Sequence, residues 1–211
     1  MNARDEVLAR IDAANRTAPP APPVPRNYRH STDTPAGSPA AVDLLAERLR
    51  DYRATVTTCT PTDLAATIAT ALTRARHVVV PTGLDPAWTG ALTGIQIRPD
   101  DPPLPHADLD QTDAVLTGCR VAIAETGTIV LDGAPDQGRR ALTLLPDRHV
   151  CIVRTDQVVG SVPEAVTVLA RQPHRPLTWI SGPSATSDIE LVRVEGVHGP
   201  RDLRVILLTT S

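Results

Sequence analysis

Residues 77–81 read HVVVP, a short run in which three β-branched side chains follow one another without a polar break. Such a run is typical of a strand that is covered on both faces, as in a parallel sheet. Before it, residues 40–52 space apolar side chains at helical intervals, residues 54–58 are rich in valine and threonine, and residues 60–75 open with a threonine N-cap followed by proline. The order helix, strand, helix, strand predicts an α/β fold, with a mostly parallel sheet flanked by helices.

The second half of the chain predicts further short strands. Glycines separate the first three of them, which favours hairpin-like or bent strands over βαβ units. Ser161 and Glu164 have the spacing of a capping box, so a helix is expected over residues 163–171. The predicted strands are residues 114–117, 120–124, 128–131, 149–153, 177–180 and 203–208.

The first 39 residues differ in composition from the rest. Residues 2–15 predict a short amphipathic helix. Residues 17–39 are rich in proline, which predicts an extended and partly disordered arm, either a plain linker or a segment that docks on a partner. The expected organisation is therefore a helix and Pro-rich arm over residues 1–39 and one domain over residues 40–211.

The composition argues against several classes of function. The net charge is -3 and all 21 basic residues are arginine, so nucleic-acid binding is not expected and no lysine Schiff base is available. No apolar run reaches the ~20 residues of a membrane span, and the first residues lack an apolar signal core, which predicts a cytoplasmic protein. The three cysteines and the histidines lack the spacing of a metal or iron–sulfur site, so none is predicted, and buried free thiols are expected.

Four polar stretches stand beside predicted strands, and ligands of open α/β sheets bind beyond the carboxyl ends of strands. In the first, AETGT (residues 124–128), Glu125 suits a nucleophile, a base or a hydrogen-bond acceptor, or is a solvated acid in a turn. In the second, SGPSATSDIE (residues 181–190), the hydroxyls and a helix start would bind an anion, or form an ordinary Ser/Thr-rich helix entry.

The third and fourth stretches carry histidine and arginine. In EGVHGPRDL (residues 195–203), His198 suits a general base or an oxyanion ligand, or is a surface histidine. Between residues 136 and 149, Arg139, Arg140 and Arg148 are candidates for gripping a carboxylate or phosphate by paired donors, or are surface arginines.

The segments around these stretches resemble the LUD domain of the lactate-utilisation protein C family, from about residue 40 to the end. The resemblance implies a fold similar to that of the NagB/RpiA/CoA-transferase group. It also implies a part in bacterial L-lactate oxidation to pyruvate, together with two partner proteins that carry iron–sulfur clusters, so this chain itself is expected to bind no cofactor. The motifs that carry it are AETGTIVLDG (124–133), GRRALTLLPDRHVCIVRTDQVV (138–159), SGPSATSDIELVRVEGVHGP (181–200) and LRVILL (203–208).

The resemblance and the four stretches together select the candidate site residues. Glu125 and His198 are the candidate catalytic residues, and a small anionic or nucleotide-like molecule is the expected ligand. The candidate ligand-binding residues are Thr126, Gly127, Thr128, Arg139, Arg148, Gly182, Ser184, Thr186, Asp188, Glu190 and Gly199.

Two other functions stay open. Glu125, Thr126 and Gly127 fit the short Glu-x-Gly turn that holds a nucleophilic glutamate in CoA-transferases of this fold group, so the chain could be an independent transferase, isomerase or ligase. It could also be an interaction module that docks through its Pro-rich arm. The lactate-oxidation role and the transferase-like role both require the polar turns to converge at one rim of the sheet, around a negatively charged ligand.

Overall fold

A computed structural model describes residues 2–17, 22–90, 92–186, 194–195 and 199–210, with the backbone alone described at residues 17, 186, 194 and 195. These residues contain twelve strands arranged in three sheets. The strands are β1 (Thr55–Cys59), β2 (His77–Val80), β3 (Gln96–Pro99), β4 (Ala114–Thr117), β5 (Val121–Ile123), β6 (Thr128–Leu131), β7 (Arg148–Arg154), β8 (Val158–Val159), β9 (Thr178–Ile180), β10 (Ala185–Thr186), β11 (Val194–Glu195) and β12 (Asp202–Leu208).

The main sheet has six strands in the order β1-β12-β7-β4-β2-β3, and every neighbouring pair is parallel. The strand predicted from HVVVP is β2, which is paired on both sides and buries Val78 and Val79 completely. Because both faces of β2 are covered, its successive valines can all be apolar instead of alternating with polar residues. The predicted α/β fold with a mostly parallel sheet is confirmed.

A second sheet of four strands, in the order β8-β5-β6-β9, packs beside the first. Strands β5 and β6 form the predicted antiparallel hairpin. The expectation that residues 114–117 belong to the same hairpin system is wrong: β4 is an inner strand of the parallel sheet, between β7 and β2. All four of its side chains are buried, because both of its faces are covered.

In the part of the chain that the structure describes, five α-helices accompany the sheets: α1 (Ala3–Thr17), α2 (Pro39–Asp51), α3 (Leu64–Ala71), α4 (His106–Asp110) and α5 (Val162–Leu169). Helix α3 is shorter than residues 60–75, because its first turn is a 3-10 turn and the chain turns away at Arg74, whose φ is 70°. The Glu164 half of the predicted capping box forms, since Glu164 Oε2 accepts a hydrogen bond from the Ser161 N–H, whereas the Ser161 hydroxyl has no partner among the described residues. None of the helices in the described part of the chain is long and apolar enough to cross a membrane.

The two faces of the main sheet are covered by different elements. Helix α3 packs its Leu64, Ile68 and Leu72 on one face, in an aliphatic cluster with Ile152 and Ile206. On the other face, α2 and the second sheet form a cluster with alternate residues of β7 and β12. Successive residues of a strand point to opposite faces, so each inner strand contributes to both clusters.

The end of the Pro-rich arm packs on the domain that follows it. The Thr32 N–H donates to the Glu164 carboxylate at 3.0 Å, and the Gly37 N–H donates to the Val158 carbonyl at 2.8 Å. Residues 22–32 form neither helix nor strand, as expected of a segment rich in proline. The described part of the arm is thus anchored to its own domain near the start of α5.

Candidate functional site

A cavity of about 290 Å3 opens between the two sheets. Its floor is formed by His149 and Leu203, the second residues of β7 and β12. One wall is the 3-10 turn Arg140–Thr143, called the Arg140 turn below, and the opposite wall is β9 with the chain that follows it. The cavity is lined by the polar residues Arg140, Thr143, His149, Ser181 and Ser184. Gly199 lines it as well.

A second, more open cavity of about 630 Å3 adjoins the first. The two share Arg140, Thr143 and Thr178, so they form one continuous depression, called the inter-sheet cleft below. Arg139 and Arg175 line the second cavity as well. Small-molecule sites commonly occupy clefts of roughly 300–1,000 Å3, so the inter-sheet cleft has the size of a ligand site.

The cleft does not lie at the carboxyl rim where the sequence placed the site. It lies over the amino-terminal ends of β7 and β12 instead. Helix α2 and the second sheet pack against Val153 and Leu207, in the carboxyl-terminal halves of these strands. The open space is therefore left over the amino-terminal halves.

The arginines of the cleft differ in what they hold. Arg139 donates to both oxygens of Asp100, at 2.7 and 3.0 Å, and to the Leu104 carbonyl. Burial alone would raise the pKa of Asp100, but the hydrogen bonds from Arg139 and the Leu104 N–H outweigh it and keep that pKa below its ordinary value. Arg175 donates one hydrogen bond to the buried Asp132, at 3.0 Å. Two of the three guanidiniums at the cleft are thus fixed by carboxylates.

Arg140 is the third arginine of the cleft, and it is exposed. Its guanidinium forms no ion pair with any residue within the described ranges. A guanidinium that is not neutralised by the protein is available for a carboxylate or a phosphate. Arg140 is therefore the cleft arginine that no carboxylate of the described residues neutralises.

Arg148, one of the predicted ligand-binding residues, lies outside the cleft. Its side chain is on the α3 side of the sheet, where it donates to Asp202 at 2.6 Å and to the Thr73 carbonyl. Arg204 also donates to Asp202. Burial would raise the pKa of Asp202, but these two arginines more than offset it and lower that pKa.

The first and second predicted stretches do come together. A chain of hydroxyl contacts of 2.8 Å each runs from Thr126 to Thr128 and on to Ser181. Gly127 and Gly182 both have positive φ, 59° and 95°, and both pack on the end of α2. A Cβ on Gly127 would lie 2.6 Å from Arg48 Cβ, and one on Gly182 would lie 2.6 Å from Tyr52 Cβ, so a side chain fits at neither position.

Glu125 lies in the same turn but does not line the cleft. Its two carboxylate oxygens accept hydrogen bonds of 2.8 Å from Arg29 of the Pro-rich arm, which raise the pKa of Arg29. Its N–H donates to the Gly160 carbonyl. Glu125 therefore joins the domain to its own arm, and the structure does not bring its carboxylate together with Ser184.

The remaining predicted residues divide into two groups. Gly199 stands beside Ser184 at the edge of the cavity, with a φ of 109°. Thr186 pairs through its backbone with Val194 in the β10–β11 ladder. Asp188, Glu190 and His198 lie outside the described residues.

Among the residues that the structure describes, no group of His, Cys, Asp or Glu has the arrangement of a metal site.

His149 is a cleft residue that sequence reasoning missed. Only 1% of it is exposed, and its Nε2 lies 2.8 Å from the Thr117 hydroxyl. Its Nδ1 is buried and has no hydrogen-bond partner among the described residues. The sequence feature that could have identified it is a polar residue at the start of HVCIV (residues 149–153), an otherwise apolar strand.

Two thiols lie next to this histidine in the core. Cys119 and Cys151 are both free and buried, as expected. The neighbouring Cys119 lowers the pKa of Cys151, against the effect of burial and with the help of His149 and Thr117. The same contact, and burial, raise the pKa of Cys119 well above its ordinary value. Within the pair, Cys151 is thus the more readily ionised thiol.

The fold is an α/β domain whose inter-sheet cleft is lined by an arginine, several hydroxyls and a buried histidine. The family model of the LUD domain matches residues 40–208. The chain therefore belongs to the LUD domain family.

The relatives and a solved structure support this assignment. The chain is 56% identical over 164 residues to lactate utilization protein C of Deinococcus radiodurans, a match that covers 77% of this chain and 76% of that protein. It is 32% identical over 106 residues to lactate utilization protein C of Bacillus subtilis, which covers 47% of this chain and 44% of the relative. A crystal structure of a DUF162 family protein from Deinococcus radiodurans superposes with a TM-score of 0.70 and 45% identity, over 80% of this chain and 96% of the other.

Proposed function

We propose that this protein is a subunit of a lactate-utilisation system that oxidises L-lactate to pyruvate, and that it binds a small anionic ligand in the inter-sheet cleft. The names of its relatives in Deinococcus radiodurans and Bacillus subtilis support the role in lactate utilisation. The membership of the LUD domain family extends over residues 40–208, which include every element that lines the cleft.

The observation that carries the ligand proposal is the contrast among the cleft arginines. Arg139 and Arg175 hold Asp100 and Asp132, whereas Arg140 has no carboxylate among the described residues. A carboxylate ligand can take two parallel hydrogen bonds from such a guanidinium. Thr143 and Ser181 line the same cavity; the Thr143 hydroxyl donates to the Arg140 carbonyl, and the Ser181 hydroxyl pairs with Thr128.

We also propose that the electrons of the reaction pass through iron–sulfur clusters held by partner proteins. Lactate oxidation releases two electrons, and these require an acceptor. The three thiols of this chain are buried, and Cys59 does not belong to the cluster that holds Cys119 and Cys151. The division of labour would leave binding or presentation of the ligand to this chain.

Growth on L-lactate as the only carbon source tests the role. Deletion of the gene is expected to prevent growth, and the wild-type gene to restore it. Arg140→Gln is expected to restore it poorly, because the neutral amide removes the charge that holds the anion. Arg201→Gln is the matched control, since Arg201 pairs with Asp147 at the surface and does not line the cleft. Normal growth of a deletion strain that has no second copy of the gene would contradict the proposal.

A further inference from the structure

The two edges of the main sheet differ in how they are protected. The edge of a sheet presents unpaired N–H and C=O groups, and proteins protect such edges with charge, proline, short strands or a covering segment. Strand β3, at one edge, contains Arg98 and Pro99. Strand β1 (TVTTC), at the other edge, has five residues without charge or proline, and it pairs with β12 without a bulge. No strand within the described ranges lies on its outer side.

The edges of the second sheet are protected by short length and by the arm. Strand β8 has two residues, and the Gly37 N–H of the arm donates to its Val158 carbonyl at 2.8 Å. Strand β9 has three residues. Strand β1 is therefore the longest edge strand of the two larger sheets, and the described residues give it none of these protections. An edge of this kind favours pairing with a strand of another chain.

The backbone of β1 faces outward at alternate residues. In a strand that has a parallel neighbour on one side, every second residue directs its N–H and C=O groups to that neighbour. The Cys59 carbonyl accepts from the N–H of Thr209, the residue that follows β12, so Cys59 and Thr57 face β12. Val56 and Thr58 therefore direct their backbone groups outward, away from the sheet.

The side chains beside this edge leave room for a neighbouring strand. Thr55 and Thr57 line a cavity of about 250 Å3 on the α3 side of the sheet. Helix α3 lines the same cavity with Ala66 and Thr70, which are small and exposed. On the opposite side, Val56 is only partly buried. A strand placed beside β1 would therefore approach its backbone closely and cover Val56.

We propose that β1 is an interaction surface for a second copy of this chain, and that the two β1 strands pair antiparallel and join the two main sheets. Thr57 lies on the two-fold axis, opposite Thr57 of the second copy. Val56 of each copy then stands opposite Thr58 of the other, and each such pair exchanges both of its backbone hydrogen bonds. This inference goes beyond the proposed function, because it does not depend on the ligand of the cleft.

A second copy fits this edge because β1 is complementary to itself. In the proposed register, every residue of β1 has a partner, and the outward groups of Val56 and Thr58 are all paired. The strand is uncharged, so no like charges stand opposite each other. Threonine pairs across neighbouring strands stabilise a sheet, as the Thr57 pair would here.

The charges that flank β1 favour the antiparallel direction. Arg50 and Arg53 precede the strand, where Asp51 lies 3.6 Å from Arg48, and Asp63 follows it. Antiparallel pairing brings the basic turn of one copy beside the acidic turn of the other. Parallel pairing would instead bring each turn beside its like.

A cysteine cross-link tests the register. Opposite residues of a non-hydrogen-bonded antiparallel pair have Cα atoms about 4.5 Å apart, which a disulfide can span. We therefore expect Thr57→Cys to form a covalent dimer with oxidised glutathione, seen on non-reducing electrophoresis. Thr58→Cys is the matched control, because Thr58 of one copy stands opposite Val56 of the other. The wild-type chain is a second control, since its three thiols are buried.

Sedimentation of the full-length chain tests the dimer itself. We expect a mass of about twice 22.5 kDa for the wild type. Thr57→Lys and Thr57→Glu should each be monomeric, because like charges meet on the axis, and an equimolar mixture of the two should restore the dimer. Thr73→Lys, at an exposed turn after α3 that does not line the cavity, is the matched control and should stay dimeric.

Three results would overturn the inference. The first is a wild-type chain that sediments as a monomer at every concentration tested. The second is a dimer in which Thr58→Cys cross-links as readily as Thr57→Cys, or which Thr57→Lys leaves intact, because another surface or register then holds it. The third is a monomer whose Val56 and Thr58 amides resist hydrogen exchange, because the chain then covers its own edge.

Discussion

The two faces of the six-stranded sheet are built from the same strands and differ in chemistry. The face under α3 has an aliphatic centre, to which β7 contributes Val150 and Ile152, and an ionic edge where Arg148 and Arg204 hold Asp202. The opposite face receives His149 and Cys151 from the same strand, and Thr117 from β4, and it is there that the cleft opens. Because the difference arises between alternate residues of one strand, secondary structure does not account for it.

The largest expected effect is on the aliphatic face. Ile206 is 1% exposed and packs in the cluster under α3. Ile206→Ala should lower the free energy of unfolding by about 2–5 kcal/mol, since it removes buried methyl groups and leaves a cavity. Ile206→Val should cost about 0.5–1.5 kcal/mol. Denaturant unfolding measures both, and ligand affinity measured at a temperature where the variants stay folded should be unchanged. A change in ligand affinity would contradict the expectation that the cluster under α3 contributes to stability and not to ligand binding.

The ion pair at the edge of the cleft should matter next. Asp100→Asn leaves Arg139 without its carboxylate, and we expect a loss of roughly 1.5–3 kcal/mol, as for hydrogen bonds to charged groups. Only 7% of the Asp100 side chain is exposed, so water replaces the lost contact poorly. Asp147→Asn, at the exposed pair with Arg201, is the control and should leave the unfolding midpoint unchanged. Similar losses for both variants would contradict this account.

Acid should destabilise the protein through the carboxylates of Asp100 and Asp202, which both accept hydrogen bonds from arginines. The folded protein lowers the pKa of Asp100 and Asp202 below the ordinary value of 3.8. Their contribution is therefore complete above about pH 4 and is lost as the pH falls through the lowered values. Asp136, whose pKa burial raises, acts in the opposite direction. The free energy of unfolding can be measured between about pH 2 and pH 6. It should fall less steeply with decreasing pH for Asp100→Asn than for the wild type.

The contact on the polar face should have a smaller effect on stability. Thr117→Val removes the hydroxyl that holds His149 Nε2 and keeps the shape of the side chain. We expect a loss of about 1 kcal/mol, the typical net value of one hydrogen bond. Denaturant unfolding of Thr117→Ser, which keeps the hydroxyl, separates this contribution from packing. A loss as large as that of Ile206→Ala would show that the polar face serves mainly stability.

The smallest effect is expected at Glu125. Its pair with Arg29 is exposed, so Glu125→Gln should leave the unfolding midpoint unchanged. Growth on L-lactate should also be unchanged, because Glu125 does not line the cleft. Arg29→Gln is the matched variant from the other side of the pair. Turnover by the purified protein without partners, lost in Glu125→Gln, would instead favour the independent transferase-like enzyme.

Much of the fold could be predicted, because its signals are local. The β-branched run at residues 77–81 and the helix start at Ser161 each depend on neighbours in the chain, and both form where predicted. Strand β4 was assigned to the wrong sheet, since a short apolar run has the same pattern in a hairpin and in a parallel sheet. Strands β3 and β8 were missed: β3 contains Arg98 and Pro99, and β8 has only two residues.

The sequence by itself determined the α/β class and the family. Only the tertiary structure decided which polar residues face each other. Arg139 and Arg140 are adjacent in the chain, yet one holds Asp100 and the other faces the cleft. His149 meets Thr117 across 32 positions, because strand pairing brings β4 beside β7. Such contacts depend on strand order and register, which residues distant along the chain set together.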